Sequence, residues 1–456
     1  MKNSFLFSIV FVLFCVASLF GFNSVGAQQL KLPYDVFDYA QYPIGSVWGD
    51  PLPDAPALAQ RGKFMVGVQT LHLLNPDQID VIKTLAEGTT VIYNRPLTVE
   101  VWYPATLKLG QIQITMYTDF LGRSDQPGTL VPYTFVGRAT RDASPDIADG
   151  PYPLILISHG YPGSRYLLYY LGENLASKGY VVVSVDHTDS TYLDVGNFVS
   201  TLVNRSLDQE FVMGEILKMQ PWEGLCNPNE VGLIGYSMGG YGALRTLGAG
   251  LENSTLVKNY LGKFASTLIA RPSDKGDSLV KAAVLFAPWG GTVGTNPTGL
   301  WDKTSLEKIT VPTLWVAGSQ DDVAGYKGIV NLFDSAINSK RYLLTYDDAL
   351  HNVVPHPAPS IATKFGDYYR FADPVWSTWR IDNIDEHFVT AFFDLYLKGN
   401  AEAGSYLNVK VVNSNDGIYI AGNGGEATDS TYWPGFQPRT ALGLHLVYVS
   451  PSLDSK

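Results

Sequence analysis

The chain is poor in cysteine, and that limits how it can hold itself together. Two cysteines occur in 456 residues, Cys15 and Cys226. Cys15 lies in an apolar leader-like segment, so past it one thiol remains and no intramolecular disulfide can form. Stability must then come from a packed core, and a composition of 46% hydrophobic and 12% aromatic residues suits one. Charge is also sparse. Charged residues make up 16% of the chain, the net charge is −11, and no basic run occurs. An acidic chain without a basic patch is a poor partner for nucleic acid. So few charges predict a surface rich in Gly, Ser, Thr, Asn and Tyr. No internal repeat, low-complexity tract or long linker is present. After the first segment no stretch is long and apolar enough to cross a membrane.

What is present begins with that first segment. Lys2 precedes an apolar run over residues 5–22, and Val25-Gly26-Ala27 supplies small residues before Gln28. This pattern predicts a signal peptide over residues 1–27 and a secreted or periplasmic protein; the alternative is a membrane anchor. Bulky Phe14 before Cys15 argues against a lipoprotein cleavage site. Residues 1–27 carry Lys2 and no acid, so their removal makes the chain one unit more negative. Asn204 and Asn253 stand in glycosylation sequons.

Further along, apolar runs alternate with helical patterns. Strands are expected over residues 153–158, 180–185, 231–236, 281–287, 312–317 and 341–346. Helices are expected over 165–178, 205–219, 238–247, 326–337 and 385–397. Continuous rather than alternating apolar runs mean strands buried on both faces, hence a mainly parallel sheet covered by helices. Residues 28–150 differ. Residues 91–93 and 97–103 read as antiparallel strands among Pro, Gly and Asp punctuation, so this region is read as an amino-terminal extension joining the same sheet. Residues 151–400 form the expected core and 401–456 a carboxyl-terminal extension. Residues 250–280 are long for a helix-to-strand link and form either a helical lid or a surface insertion.

The chemistry-bearing motif is Gly235-Tyr236-Ser237-Met238-Gly239, directly after an apolar run. With 44 glycines in the chain, a chance Gly-x-Ser-x-Gly is expected roughly 0.3 times, so context must decide. The layout is strand, sharp turn, helix: a nucleophile elbow that presents Ser237 at the end of a sheet. A serine hydroxyl needs a base, and the base needs an acid to orient it. In this fold the chain order is Ser, acid, His. The acid follows the strand at 312–317, where Asp321 and Asp322 compete. Val323-Ala324 after one spacer favours Asp321; the alternative is two turn aspartates bonding backbone N–H groups. The base follows the strand at 341–346, where His351 is favoured over His356, which sits between Pro355 and Pro357. His351 and His356 with Asp347 or Asp348 make a weak metal set, because five-residue spacing across a proline is no helical ligand pair. Two N–H donors should hold the oxyanion. Met238 follows the nucleophile, and Tyr161 lies in the loop Ser158-His159-Gly160-Tyr161-Pro162-Gly163. His159 is expected to brace that loop.

His159-Gly160-Tyr161 with Arg165, residues 175–182, Asp186-His187 and Gly235 to Gly240 resemble the platelet-activating-factor acetylhydrolase and dienelactone-hydrolase-like group. The same segments, with Ala287-Pro288-Trp289 and Val311-Pro312-Thr313-Leu314, are similar to the cutinase-type polyester hydrolases. The resemblance covers about residues 150–355. Residues 95–104 and 387–399 are similar to longer exported members of the dienelactone-hydrolase-like group. The resemblance implies an α/β-hydrolase fold and a serine esterase with Ser237, Asp321 and His351 as its triad. It also implies Tyr161 and Trp289 beside the substrate. Acyl transfer through a serine triad needs no cofactor or metal. Two departures stand. Dienelactone hydrolases use cysteine where this chain has Ser237. Cutinase-type enzymes are shorter and carry a disulfide that this chain cannot form. The expected partner is a small-molecule or lipid-like ester. A serine peptidase, an acyltransferase, a polyester hydrolase and an inactive binding protein are the alternatives.

Overall fold

The computed structural model describes residues 43 and 45–452, apart from 252–253, 270–277, 294–297 and 421–429. The expected signal peptide, the sequon at Asn253 and part of the 250–280 segment lie outside the described residues.

Thirteen strands are found among the described residues. They are β1 (Met65–Ile79), β2 (Ile92–Thr106), β3 (Thr115–Leu121), β4 (Val131–Gly137), the two-residue β5 (Thr140–Arg141) and β6 (Ser144–Pro145), β7 (Tyr152–Ser158), β8 (Val181–Asp186), β9 (Cys226–Tyr236), β10 (Val280–Phe286), β11 (Thr313–Gly318), β12 (Arg341–Tyr346) and β13 (Leu444–Val449). Eleven of them form one sheet in the order β13-β12-β11-β10-β9-β7-β8-β2-β1-β5, with β6 on β2. The run from β12 to β8 is parallel throughout. Strands β2 and β13 close it antiparallel at either side. β3 and β4 make a separate hairpin.

Burial explains the pattern. All seven residues of β7 and all six of β11 and β12 are buried, as the continuous apolar runs required. Each fully buried Val, Leu or Ile contributes about 1.5–3 kcal/mol, so the centre of this sheet is where the missing disulfide is offset. Helices cover both faces. Gly232 and Gly235 lie an odd number apart on β9 and so face opposite ways. A Cβ on Gly232 would meet Phe393 of the helix Thr378–Tyr396 at 2.7 Å, while one on Gly235 would overlap the backbone of Gly239.

The helices that matter for the site are α1 (Val81–Glu87), α2 (Tyr169–Ser177), α3 (Phe198–Ile216) and α4 (Met238–Thr246). The expected helix at 205–219 begins earlier, at Phe198, because the Asn197 side chain accepts the Val199 N–H and caps it. The expected helix at 385–397 also begins earlier, at Thr378. The helix expected from residue 165 starts at Tyr169. Residues 92–93 and 97–103 belong to one strand, β2, which begins at Ile92 and runs through Pro96. Its partner β1 was not expected, because Asn75-Pro76-Asp77 reads as a turn. There the pairing slips between Asn75 and Gln78, and Asp77 takes φ 56°: a bulge inside a strand rather than its end. In the 250–280 segment the structure shows a helix, Thr255–Leu261, and a shorter one, Ala265–Leu268.

Candidate active site

Strand β9 ends at Tyr236 and α4 begins at Met238. Between them Ser237 has φ 52° and ψ −112°, a conformation that costs a non-glycine residue about 1–3 kcal/mol. Three backbone bonds enforce it. Ser237 N–H donates to the Phe286 carbonyl at 2.9 Å, and the Ser237 carbonyl accepts from Tyr241 N–H at 2.9 Å and Trp289 N–H at 3.1 Å. Met238 N–H lies in the first turn of α4, whose donors have no acceptor within the helix.

Asp321 follows β11 and His351 follows β12. His351 Nδ1 lies 2.8 Å from Asp321 Oδ2. The other oxygen, Oδ1, accepts from the N–H groups of Val323 at 2.9 Å, Ala324 at 2.7 Å and Gly325 at 3.2 Å. Burial pulls the Asp321 carboxyl up. The His351 hydrogen bond and charge, with the loop N–H groups, overcome that and hold it below the usual carboxylate range. An ionised Asp321 on Nδ1 leaves Nε2 of His351 as the free lone pair. Ser237 and His351 line one cavity of about 190 Å³. Asp322 instead takes the Tyr369 hydroxyl at 2.7 Å. His356 is fully buried elsewhere, stacked on Trp48 at 4.5 Å and bonded through Nδ1 to the Pro357 carbonyl at 2.8 Å. Burial pushes its pKa down to about 4.

The loop after β7 completes the cavity with Gly160, Tyr161 and Pro162. Its carbonyls are pinned from behind. Arg205 on α3 donates Nη1 to the His159 carbonyl at 2.5 Å and Nη2 to the Gly160 carbonyl at 3.2 Å, and Nη2 also reaches Ser190 Oγ. Burial pushes Arg205 down to about 9, which leaves it a cation at neutral pH. His159 Nε2 accepts the His187 N–H at 3.3 Å, so Nδ1 carries the proton that bonds the Gly160 carbonyl at 2.7 Å. Burial, with Arg205 nearby, holds His159 neutral.

Beneath this loop runs a buried chain. Ser158 Oγ meets His187 Nε2 at 2.8 Å, and His187 Nδ1 meets Asp208 Oδ2 at 3.0 Å. Arg95 of β2 grips Asp208 with Nε at 2.7 Å and Nη2 at 3.0 Å. These supports were not read from the sequence. Arg95-Pro96 and Asp186-His187 were noticed only as resemblances, and nothing in the spacing brings residues 95, 187 and 208 together.

Tyr161 lines the cavity and bonds the Gly196 carbonyl through its hydroxyl at 2.8 Å. Trp289 is placed differently. Its ring lies edge-on to Phe198 at 5.3 Å and near Tyr241 at 6.2 Å, and it is not among the residues lining this cavity. Tyr192, Tyr236, Tyr369 and Arg370, none of them singled out from the sequence, do line it. The described residues of the 250–280 segment do not. A larger cavity of about 810 Å³ beside Trp48, Tyr133 and Phe135 is lined by none of Ser237, Asp321 and His351. Among the described residues no cluster of His, Cys, Asp and Glu could hold a metal, and no helix is long and apolar enough to cross a membrane.

Strand order, elbow, and an acid and a base after successive parallel strands define an α/β-hydrolase fold. A PET hydrolase-like family model, PETase, matches residues 143–258. Cutinase est1 of Thermobifida alba is 27% identical over 216 residues, which is 47% of this chain and 56% of that protein. The chain thus spans about half the length of that relative. Dipeptidyl aminopeptidase BIII of Pseudoxanthomonas mexicana is 31% identical over 129 residues, 26% of this chain and 18% of that protein. The solved ferulic acid esterase of Streptomyces cinnamoneus aligns with TM-score 0.49 and 21% identity, over 76% of this chain and 94% of that one. The chain has an α/β-hydrolase fold, and part of it is similar to cutinases and to the PET hydrolase-like family.

Proposed function

We propose that this protein is an exported carboxylic-ester hydrolase acting through Ser237, His351 and Asp321. One observation carries the reading: Ser237, held at φ 52°, lines the same cavity as His351, whose Nδ1 is held by Asp321 at 2.8 Å. Ser237 Oγ attacks the ester carbonyl as its proton passes to His351 Nε2. The carbonyl oxygen becomes an oxyanion facing the N–H groups of Tyr161 and Met238. Collapse breaks the ester C–O bond, and the alkoxide leaves with the proton from His351. Water, deprotonated by the same nitrogen, then splits the acyl-enzyme and frees the acid. Export rests on Lys2, the apolar run at 5–22 and Val25-Gly26-Ala27. The family match favours an ester chemistry that extends to polyester fragments.

The test is a fluorophosphonate probe with p-nitrophenyl acetate turnover. Wild-type protein should label and turn over, and Ser237→Ala should do neither. Folded wild-type protein that does neither sinks the reading. Amide hydrolysis on the same residues is the second reading, favoured by the dipeptidyl aminopeptidase match. Cleavage of aminoacyl p-nitroanilides faster than the esters would select it.

A further inference from the structure

Arg370 is half-buried and lines the cavity that holds Ser237 and His351. Among the described residues its one hydrogen bond runs from Nη1 to the Gly122 carbonyl at 2.9 Å, and it makes no ion pair. Its guanidinium sits 6.0 Å from the centre of the Tyr192 ring. Asp125, which senses the charge of Arg370, is already held by Arg123 at 2.6 Å. The acid of the site, Asp321, is taken up by His351. A guanidinium has five donors in a planar fork, so most of this one is left for whatever enters.

The position of Arg370 is built rather than incidental. Both neighbours of His351 in the chain grip its segment. Leu350 N–H donates to Asp373 Oδ2 at 2.7 Å, and Asn352 Nδ2 donates to the carbonyls of Tyr369 at 2.5 Å and Ala372 at 3.1 Å. The Tyr369 hydroxyl is anchored on Asp322, next to Asp321. Arg370 therefore moves with the catalytic loops, and its place relative to the reacting centre is set by the same bonds that set His351. Tyr161, Tyr192 and Tyr369 supply flat walls beside it.

Open guanidinium donors bind a carboxylate, through charge-assisted paired bonds, more strongly than a neutral ester oxygen. We propose that Arg370 is a carboxylate-reading subsite, so that the preferred substrate is the half-ester of a dicarboxylic acid, with its ester group at Ser237 and its free carboxylate on the Arg370 fork. The inference rests on the ester-hydrolase reading. Planar guanidinium matches carboxylate geometry with two parallel bonds, which Lys cannot do.

The test compares monoethyl and diethyl esters of succinic and benzene-1,4-dicarboxylic acids. Wild type should prefer the half-ester, and Arg370→Gln should lower the half-ester to diester ratio of kcat/KM by about tenfold or more. Arg370→Lys should keep part of the preference. A merely structural role would lower both rates and leave the ratio unmoved, which overturns the proposal. So would faster turnover of a phosphate-bearing ester of equal length. Binding is read separately by calorimetry of the half-ester on Ser237→Ala protein, where adding Arg370→Gln should weaken it by about tenfold. Ser237-dependent turnover without discrimination removes the subsite and leaves the esterase standing. Absence of turnover removes the esterase reading, and unchanged binding then removes the subsite as well.

Discussion

His351 Nδ1 sits 2.8 Å from Asp321 Oδ2, while the adjacent Asp322 holds the Tyr369 hydroxyl at 2.7 Å. Two neighbouring aspartates in one turn thus have different duties, and kinetics can separate them. Asp321→Asn should cost about 10³–10⁴-fold in kcat, because an amide on Nδ1 favours the wrong tautomer. Asp322→Asn keeps an acceptor for Tyr369 and should stay within about threefold of wild type, since it touches no reacting group. Steady-state turnover of p-nitrophenyl acetate by both variants, with melting curves to confirm folding, checks the pair. Equal losses in the two would refute the assignment of the acid.

The elbow could be read from the sequence because its requirement is local: a strand, two glycines around a serine, and a helix all fall within about a dozen residues. Asp321 and His351 were readable as positions after apolar runs, because a buried parallel strand announces itself by composition. Arg205, Arg95 and His187 were not, since their meaning lies in contacts between distant segments. Arg370 gives no local signal either, because it lies in irregular chain whose position depends on Asn352 and Asp373. Strand β1 was missed and β2 was read as two pieces, because each carries a proline. Pro76 falls at the bulge, and Pro96 is a paired position opposite Leu74. Proline breaks a strand pattern in sequence more readily than it breaks a strand in space.

Arg205 fixes the two carbonyls of the Tyr161 loop from behind. Arg205→Lys keeps the charge but loses the fork, so one carbonyl is released. The loop donor then drifts from where the oxyanion forms, an interaction made only in the transition state. The expected result is a fall in kcat of about 10–100-fold with KM changed by less than about threefold. A rise in KM with kcat intact would mean that Arg205 serves substrate binding instead.

Gly239 tests the closeness of strand and helix at the elbow. A Cβ there would overlap the Ser158 carbonyl at the end of β7. Backbone cannot yield as a side-chain tip can, so Gly239→Ala should destabilise by more than about 3 kcal/mol. Urea unfolding measures it. Gly366→Ala, where a Cβ would meet nothing within 4 Å, is the matched control and should change stability by less than about 1 kcal/mol.

Asp119 on β3 gives a pH signature. Burial raises its carboxyl to about 6, with Asp186 adding to the effect. The Ser164 hydroxyl at 2.5 Å, the Phe120 N–H and Arg165 oppose it. The folded value lies above the ordinary 3.8, so the fold prefers the protonated acid. Its contribution to stability is complete below about 3.8 and is lost as pH rises through about 6. At 1.36 kcal/mol per pH unit the loss approaches about 3 kcal/mol. Asp119→Asn keeps an acceptor for Ser164 and cannot ionise. It should match wild type within about 1 kcal/mol at pH 4 and exceed it by up to about 3 kcal/mol at pH 7.5. Urea unfolding of both proteins at the two pH values decides the matter, because titrating groups that do not interact with Asp119 cancel in the difference. A stability difference that does not grow with pH would show that Asp119 ionises freely in the fold.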